Sequence, residues 1–229
     1  MNDLSVLFGQ PGSEISVEVG DEKALAAMMK TGDYLPRFTL YASSSKAVKQ
    51  DKIQQGRFGI EKDKQITDLG KEVDVIVCAV RPCAIRILTA QNKVLSYYDY
   101  KSPQFQEIQV IAEGGDKKSG CLFGPQFLLW VPVAQEFVLY HMNNPTGRRA
   151  APELKGLLKQ AATIKSKLIE SGGNSWHGPD IVPCSTPISV LPDKDEFDKQ
   201  IEKFKNPKEA TVEVDPDAQQ ADSGEQRAR

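Results

Sequence analysis

The sequence predicts an α+β protein, rich in β-strands, in which a small OB-like barrel or a curved antiparallel sheet packs against a helix over about residues 152–170. Three observations predict this class. Short stretches of alternating or apolar, β-branched residues recur between residues 34 and 141, with polar turns between them. One helical pattern follows a turn at residues 143–147. A chain of 229 residues, 40% of them hydrophobic, can bury a core without disulfides or metal.

Four segments are predicted along the chain. Residues 1–33 form an N-terminal arm with a short helix at Glu22–Lys30, and residues 34–190 form the β-rich core domain. Residues 191–206 form an amphipathic helix, because three apolar side chains recur at i, i+4 and i+7. Residues 207–229 form a disordered acidic tail that is too poor in apolar residues to offset its ordering entropy.

The first half of the core contains most of the predicted strands. Tyr34–Tyr41 alternates after Pro36, which places Arg37 and Tyr41 on one face of a strand. The serines at 43–45 offer an N-cap for a short helix around Lys46–Gln50. Further strands are predicted at Gly56–Ile60, Glu72–Val80 with a continuation at Ala84–Leu88, Lys93–Tyr100, and twice within Phe127–His141, around a bend at residues 133–135.

The second half of the core contains the packed helix. Pro152 suits the first turn of a helix. The residues that fit its buried face are Leu154, Leu157, Leu158, Ala161, Ala162 and Ile164. Ser171–Asn174 is predicted to be a loop, and residues 176–183 an irregular extended segment.

Charge is distributed unevenly between the predicted body and tail. Residues 191–229 hold 11 acids and 7 bases, a net charge of −4, which leaves +2 on residues 1–190. A mildly basic body with an acidic tail fits a nucleic-acid binder whose tail recruits replication or recombination proteins. A solubilising tail and a chance asymmetry explain the same numbers.

No cofactor or metal is expected. Cys78 and Cys83 lie five residues apart, which is not the spacing of a zinc knuckle, and His177 with Cys184 would lack two further ligands. The phosphate-loop, nucleophile-elbow and His-Glu-x-x-His motifs are absent from the sequence. An enzyme with a dispersed active site stays open, because catalytic groups can converge from distant positions.

Basic and aromatic side chains are interleaved on the predicted strands, and this combination predicts a single-stranded DNA interface. Aromatic faces stack on bases at about 1–3 kcal/mol each, while cations follow the phosphates. Because Tyr97 and Tyr98 are adjacent, at least one points outward if both lie in a strand. The candidate residues are Arg37, Tyr41, Arg57, Tyr97, Tyr98, Lys101, Arg148, Arg149 and Trp176. In the alternative interpretation, the aromatic side chains fill the core and the lysines form the solvent-exposed face of a helix.

Four segments of the chain resemble a group of largely uncharacterised bacteriophage proteins. The segments are Tyr34–Ser45, Asp68–Val77, Ser119–Pro132 and Lys165–Pro187, the last ending in WHGPDIVPCSTP. The resemblance covers Tyr34 to about Asn206. The order of elements in Phe137–Val182 is similar to that of phage replication and recombination accessory proteins, some of which resemble single-strand-binding OB folds. That similarity is one of layout and carries over no site residue.

Three functional classes therefore compete. We expect a sequence-independent single-stranded DNA-binding protein of phage replication or recombination. The alternatives are a virion structural protein (a capsid, tail or decoration component) and an enzyme. No membrane partner is expected, a homo-oligomer is left open, and the expected location is the cytoplasm, that of the host if a phage encodes the chain.

Overall fold

The computed structural model describes residues 35–62, 65–88, 93–114, 119–206 and 210–213. The predicted arm at 1–33 lies outside these residues. The strands are β1 (Arg37–Leu40), β2 (Phe58–Lys62), β3 (Gln65–Gly70), β4 (Glu72–Leu88), β5 (Lys93–Tyr97), β6 (Cys121–Val131), β7 (Glu136–His141), β8 (Ala161–Ser171), β9 (Asn174–Pro183) and β10 (Ala210–Glu213). The helices are α1 (Lys46–Lys49), α2 (Pro103–Glu113), α3 (Pro145–Gly156) and α4 (Lys194–Lys205).

The ten described strands form one mixed sheet, so the protein is α+β and strand-rich. The strand order is β10-β5-β4-β6-β7-β1-β2-β3, with β8 paired to β4 and β9 paired to β8. Only the β1–β7 ladder is parallel. No ladder between the described strands joins β3 to β9, so the sheet is open and does not close into a barrel.

β4 is the central strand of the sheet because its 17 residues pair with three neighbouring strands. Its first part, Glu72–Ile76, pairs with β8, its last part pairs with β5, and β6 pairs with Ile76–Arg86. The β4–β6 register shifts between Val77 and Ala79. A bulge of this kind bends a strand and increases its twist, which suits a strand shared by several neighbours.

Both faces of β6 are buried. Phe127 and Leu129 point into the main core, together with β4, β8 and α3. Leu128 and Trp130 point to the other face, where Phe197 and Phe204 of α4 cover them. Alternating residues of one strand thus bury against two layers, which explains why this stretch of sequence is apolar almost throughout. Residues 188–205 cover this second face of β6 and β7, which we call the covered face.

The predicted helix over 152–170 is wrong in its placement. α3 starts seven residues earlier, where Asn144 caps it by accepting a hydrogen bond from the Gly147 amide (2.6 Å) and Pro145 takes the first position. Pro152 lies inside this helix. Residues 161–171 are strand β8, because pairing with β4 and β9 outweighs an apolar spacing that also fits a helix.

Other elements match or refine the predictions. Ser45 caps α1 at Lys46–Lys49, and the chain bends at residues 132–135 between β6 and β7, as predicted. The sequence analysis does not predict α2, although Ser102-Pro103 is a helix-start signal. Within the predicted tail, Ala210–Glu213 pairs with β5 as β10, and the residues from 214 onward lie outside the described ones. None of the described helices has the length and apolar character needed to cross a membrane.

Candidate nucleic-acid interface

A cleft of about 50 Å³ lies where β1, β7, β9 and the start of α3 meet. Its fourteen lining residues include Arg37 of β1, His141 of β7 and His177 of β9, with the hydroxyl-bearing residues Thr39, Ser44 and Thr146. No aspartate or glutamate lines it. Arg37 is exposed and forms no ion pair with any described residue. We call this site the cleft.

Trp176 adjoins the cleft and is fixed by a cleft residue. Its indole Nε1 donates a hydrogen bond to Thr146 Oγ1 over 3.1 Å, and Thr146 lies in the first turn of α3. The Trp176 side chain is half-buried. Arg37 and Trp176 are both predicted site residues, and the fold places them at the same cleft although 139 positions separate them in the chain.

His141 is neutral, and a chain of hydrogen bonds sets its tautomer. Arg81 Nε donates to Gln126 Oε1 (2.6 Å), which turns the Gln126 amide nitrogen toward Nε2 of His141. An amide nitrogen only donates, so His141 Nε2 accepts and the imidazole proton sits on Nδ1. Burial, followed by the charges of Arg37 and Arg81, lowers the pKa of His141 to about 3.

Arg81 is half-buried and has no carboxylate partner among the described residues. Its guanidinium lies 3.8 Å from the centroid of the Tyr98 ring and 4.2 Å from that of Phe204, and Nη1 donates to the Phe204 carbonyl (2.8 Å). This carbonyl is at the negative end of α4, where a cation is stabilised. Burial is the main cause that lowers the Arg81 pKa. Arg81 therefore fastens α4 to the sheet.

The predicted pairing of Arg37 and Tyr41 on one exposed strand face is wrong. β1 ends at Leu40, and Tyr41 is only 4% exposed. Its ring packs beside Gly59 of β2, where a Cβ would approach it to 3.0 Å. Arg57 is half-exposed but forms an ion pair with Asp68, its Nε lying 2.8 and 2.7 Å from the two carboxylate oxygens. Of these three predicted site residues, Arg37 alone is an exposed cation that forms no ion pair with any described residue.

The tyrosines after β4 are divided between two layers. Tyr97 packs against the α2 cluster around Phe105, and Tyr98 lies under Arg81 next to α4. Both are half-buried, because a helix covers each side of the sheet here. The exposed ring is Tyr100, with 59% of its surface accessible and the Lys101 ammonium 5.6 Å from its centroid. Lys101 is a predicted site residue and Tyr100 is not, because the strand predicted at Lys93–Tyr100 includes Tyr100 and only the structure ends that strand at Tyr97.

The two arginines of α3 differ in role. Arg148 donates to the carbonyls of Asn143 (3.0 Å) and Phe123 (3.3 Å), and its guanidinium lies 4.8 Å from the Phe123 ring. It therefore ties the start of α3 to β6. Arg149 is exposed and forms no ion pair among the described residues, so it is available to a ligand.

The chemistry of the described residues otherwise offers few reactive groups. No cluster of three or more His, Cys, Asp or Glu side chains within the described ranges could hold a metal ion. All four cysteines are free, and burial is the largest cause that raises the pKa of Cys78 and Cys83 above the ordinary value. These two thiols are protonated and packed rather than reactive.

Comparison with protein-family models, with curated proteins and with solved structures finds no match to this chain. The geometry of the cleft and its surroundings is therefore the basis for the functional argument.

Proposed function

We propose that the protein binds single-stranded DNA without sequence preference and that the strand passes over the cleft. The observation that carries the proposal is the charge of the cleft. Arg37 lines it as a permanent cation and no acid does, in a chain with 31 acids and 29 bases. A phosphate backbone is attracted to such a site, since neutralising its charge releases counterions.

The groups around the cleft suit both parts of a nucleotide. Hydroxyls of Thr39, Ser44 and Thr146 can donate hydrogen bonds to phosphate oxygens. Trp176 is positioned by its bond to Thr146 and retains accessible ring surface on which a base can stack. Arg149, at the start of the same helix, adds an exposed cation.

We also propose that β4, β6, β7, α3, β8 and β9 form an OB-like unit. Four features support it: a long, bulged β4; the antiparallel β4-β6-β7 meander; a helix between the third and fourth strands; and a β8–β9 hairpin that returns to the start of β4. OB folds are partly open barrels. In this unit β1 takes the place beside β7, with a parallel ladder, and the β1 and β9 Cα atoms approach within 8 Å.

The surface that OB folds most often use to bind nucleic acid, the outer face of the second and third strands, is the covered face in this protein. Here those strands are β6 and β7, and α4 buries Trp130 and Phe137 on that face. The aromatic rings there pack on one another in a tilted arrangement, with the Trp130 and Phe137 centroids 4.9 Å apart. The cleft, which α4 leaves accessible, is therefore the favoured path for DNA.

The role in phage replication or recombination rests on the resemblance of Tyr34–Asn206 to phage proteins. Recruitment of other replication proteins by the acidic tail is part of the same proposal and rests on the sequence of the tail. A virion structural protein would show large self-association instead, and that behaviour is visible in the sedimentation of the purified chain.

Fluorescence polarisation with labelled oligo-dT and a matched duplex tests the proposal. We expect oligo-dT to bind more tightly than the duplex and the affinity to fall as salt rises from 50 to 200 mM. Arg37→Gln should weaken binding and reduce the magnitude of the salt slope by about 1, as expected for one lost phosphate contact. Lys199→Gln removes an exposed charge of α4, outside the cleft, and should change neither the affinity nor the salt slope. No oligo-dT binding at low salt and micromolar protein would overturn the proposal.

A further inference from the structure

The His177 side chain packs closely against a glycine at the cleft. Its imidazole lies against Gly56, where a Cβ would come within 2.5 Å of Cδ2 and 2.6 Å of Nε2. The φ of Gly56 is +71°, a conformation that other residues adopt only with strain. The Gly56 amide also donates to the Tyr41 carbonyl (2.7 Å), so the turn is tied to the end of β1. The imidazole therefore packs directly on the Gly56 backbone, at a position that only glycine fits.

Two basic residues lie near His177: Lys71 of the β3–β4 link, whose charge lowers the pKa of His177, and Arg37, which lines the same cleft. Glu170 of β8 is an acid on the same face of the β8–β9 hairpin, two positions from the residue that pairs with His177. Arg57 is neutralised by Asp68, and His141 is neutral. The Ser166 hydroxyl, opposite Pro179 of the cleft, is buried without a hydrogen-bond partner among the described residues.

We infer that the cleft is a phosphate subsite in which Arg37 supplies a permanent positive charge, His177 supplies a proton-dependent one, and Ser44 and Thr146 supply hydroxyl donors. This inference rests on the proposed function, since the phosphate is assigned to the DNA backbone. An inorganic phosphate or sulfate ion has the same chemistry and serves as the probe. His177 is a binding residue here, and no bond is made or broken.

The subsite makes phosphate binding depend on pH. Burial, followed by the charge of Lys71, lowers the pKa of His177 in the free protein. An anion beside the ring favours the imidazolium and raises that pKa again. Because the two equilibria are linked, the anion must bind more tightly to the protonated form by the same factor. Binding is therefore strongest at acid pH and weakens as the pH rises through the pKa of the bound form.

Proton NMR of the full chain provides a direct test, because the protein has only two histidines. The His141 pKa of about 3 keeps its ring from titrating between pH 5 and 8, so the titrating C2–H signal belongs to His177, and His177→Gln confirms the assignment. Sulfate, whose charge is constant over this range, is added against chloride at equal ionic strength. We expect the His177 midpoint to rise by about one pH unit, equivalent to a tenfold tighter complex with the imidazolium.

Arg37→Gln should abolish most of this rise, whereas Lys199→Gln should leave it unchanged. An unchanged His177 midpoint at saturating sulfate and phosphate, or a rise that survives Arg37→Gln, would overturn the subsite. If oligo-dT binds while the midpoint does not move, the subsite falls and the proposed function stands. If the midpoint rises while oligo-dT does not bind, the site holds small anions and the proposed function falls.

Discussion

Arg81 and Arg37 lie on either side of His141 in the strand order, yet they sit in opposite environments. Arg81 of β4 is sandwiched between two aromatic rings and donates to the end of α4. Arg37 of β1 is exposed at the cleft and forms no ion pair among the described residues. Both charges lower the pKa of the same imidazole. One arginine fastens a helix, and the other is free to meet a ligand.

The difference lies in the covering layer. Basic and aromatic residues alternate near both arginines, but residues 188–205 cover one site and leave the other accessible. Under α4, a ring that could stack on a base stacks on a guanidinium instead, as Tyr98 does. A cation beside an aromatic ring therefore identifies a binding surface only where no second layer buries it.

The largest effect is expected from removing an anchor of the covering layer. Phe197→Ala should lower the free energy of unfolding by about 3–5 kcal/mol, because Phe197 is 3% exposed and packs near Phe137. Val133→Ala, at a side chain that is 75% exposed, should change it by less than about 0.5 kcal/mol. Urea unfolding measures both. A loss below about 1 kcal/mol for Phe197→Ala would mean that α4 is not an integral layer.

The two arginines themselves give the next effect. Arg81→Ala should cost about 2–4 kcal/mol, since it leaves the Phe204 carbonyl and Gln126 Oε1 without their donor and opens a gap between two rings. Arg81→Met keeps the packing and should cost less. Arg37→Ala should cost less than about 0.5 kcal/mol while weakening DNA binding. Equal stability losses for Arg81→Ala and Arg37→Ala would break the comparison.

The histidine between them links stability to pH. Its pKa is about 3 in the folded chain and near 6.5 when unfolded, so the unfolded state binds the extra proton between these values. Stability is therefore complete above pH 6.5 and falls as the pH falls, by about 1–2 kcal/mol at pH 5. Protonation would also point an N–H at the Gln126 amide nitrogen.

Urea unfolding at several pH values between 5 and 7 checks this effect. We expect His141→Gln to remove most of the pH slope, whatever it does to the absolute stability. His177→Gln should keep most of it. A slope that survives His141→Gln would assign the proton uptake to other groups.

The smallest expected quantity is a difference between two glycine variants, which tests the packing of His177 on Gly56. Gly173 at the β8–β9 turn has a φ of +78° and open space around it, so Gly173→Ala should cost about 1–2 kcal/mol through backbone strain alone. Gly56→Ala carries the same kind of strain and also forces its new methyl group into the imidazole. We expect an additional loss of about 1 kcal/mol and a displaced His177 C2–H signal. Equal losses of stability for the two variants and an unmoved C2–H signal would show that the His177 ring is not packed tightly against Gly56.

The strand-rich class and several local elements follow from the sequence alone. Alternation predicts the strand at β1, the serines at 43–45 predict the cap of α1, and the polar bend at 132–135 separates β6 from β7. These features depend on residues that are close together in the chain, so that local side-chain chemistry suffices to predict them.

The solvent exposure of the predicted site residues, and the point at which the helix after β7 ends, depend on the tertiary structure. Ala161–Ser171 fits a helix and a strand by spacing, and the ladders with β4 and β9 select the strand. Tyr41 is buried beside β2, Tyr98 is covered by Arg81, and Arg37 stays open. Burial depends on contacts between segments that are tens of residues apart in the chain, and the period of a single strand shows its two faces without showing what covers each.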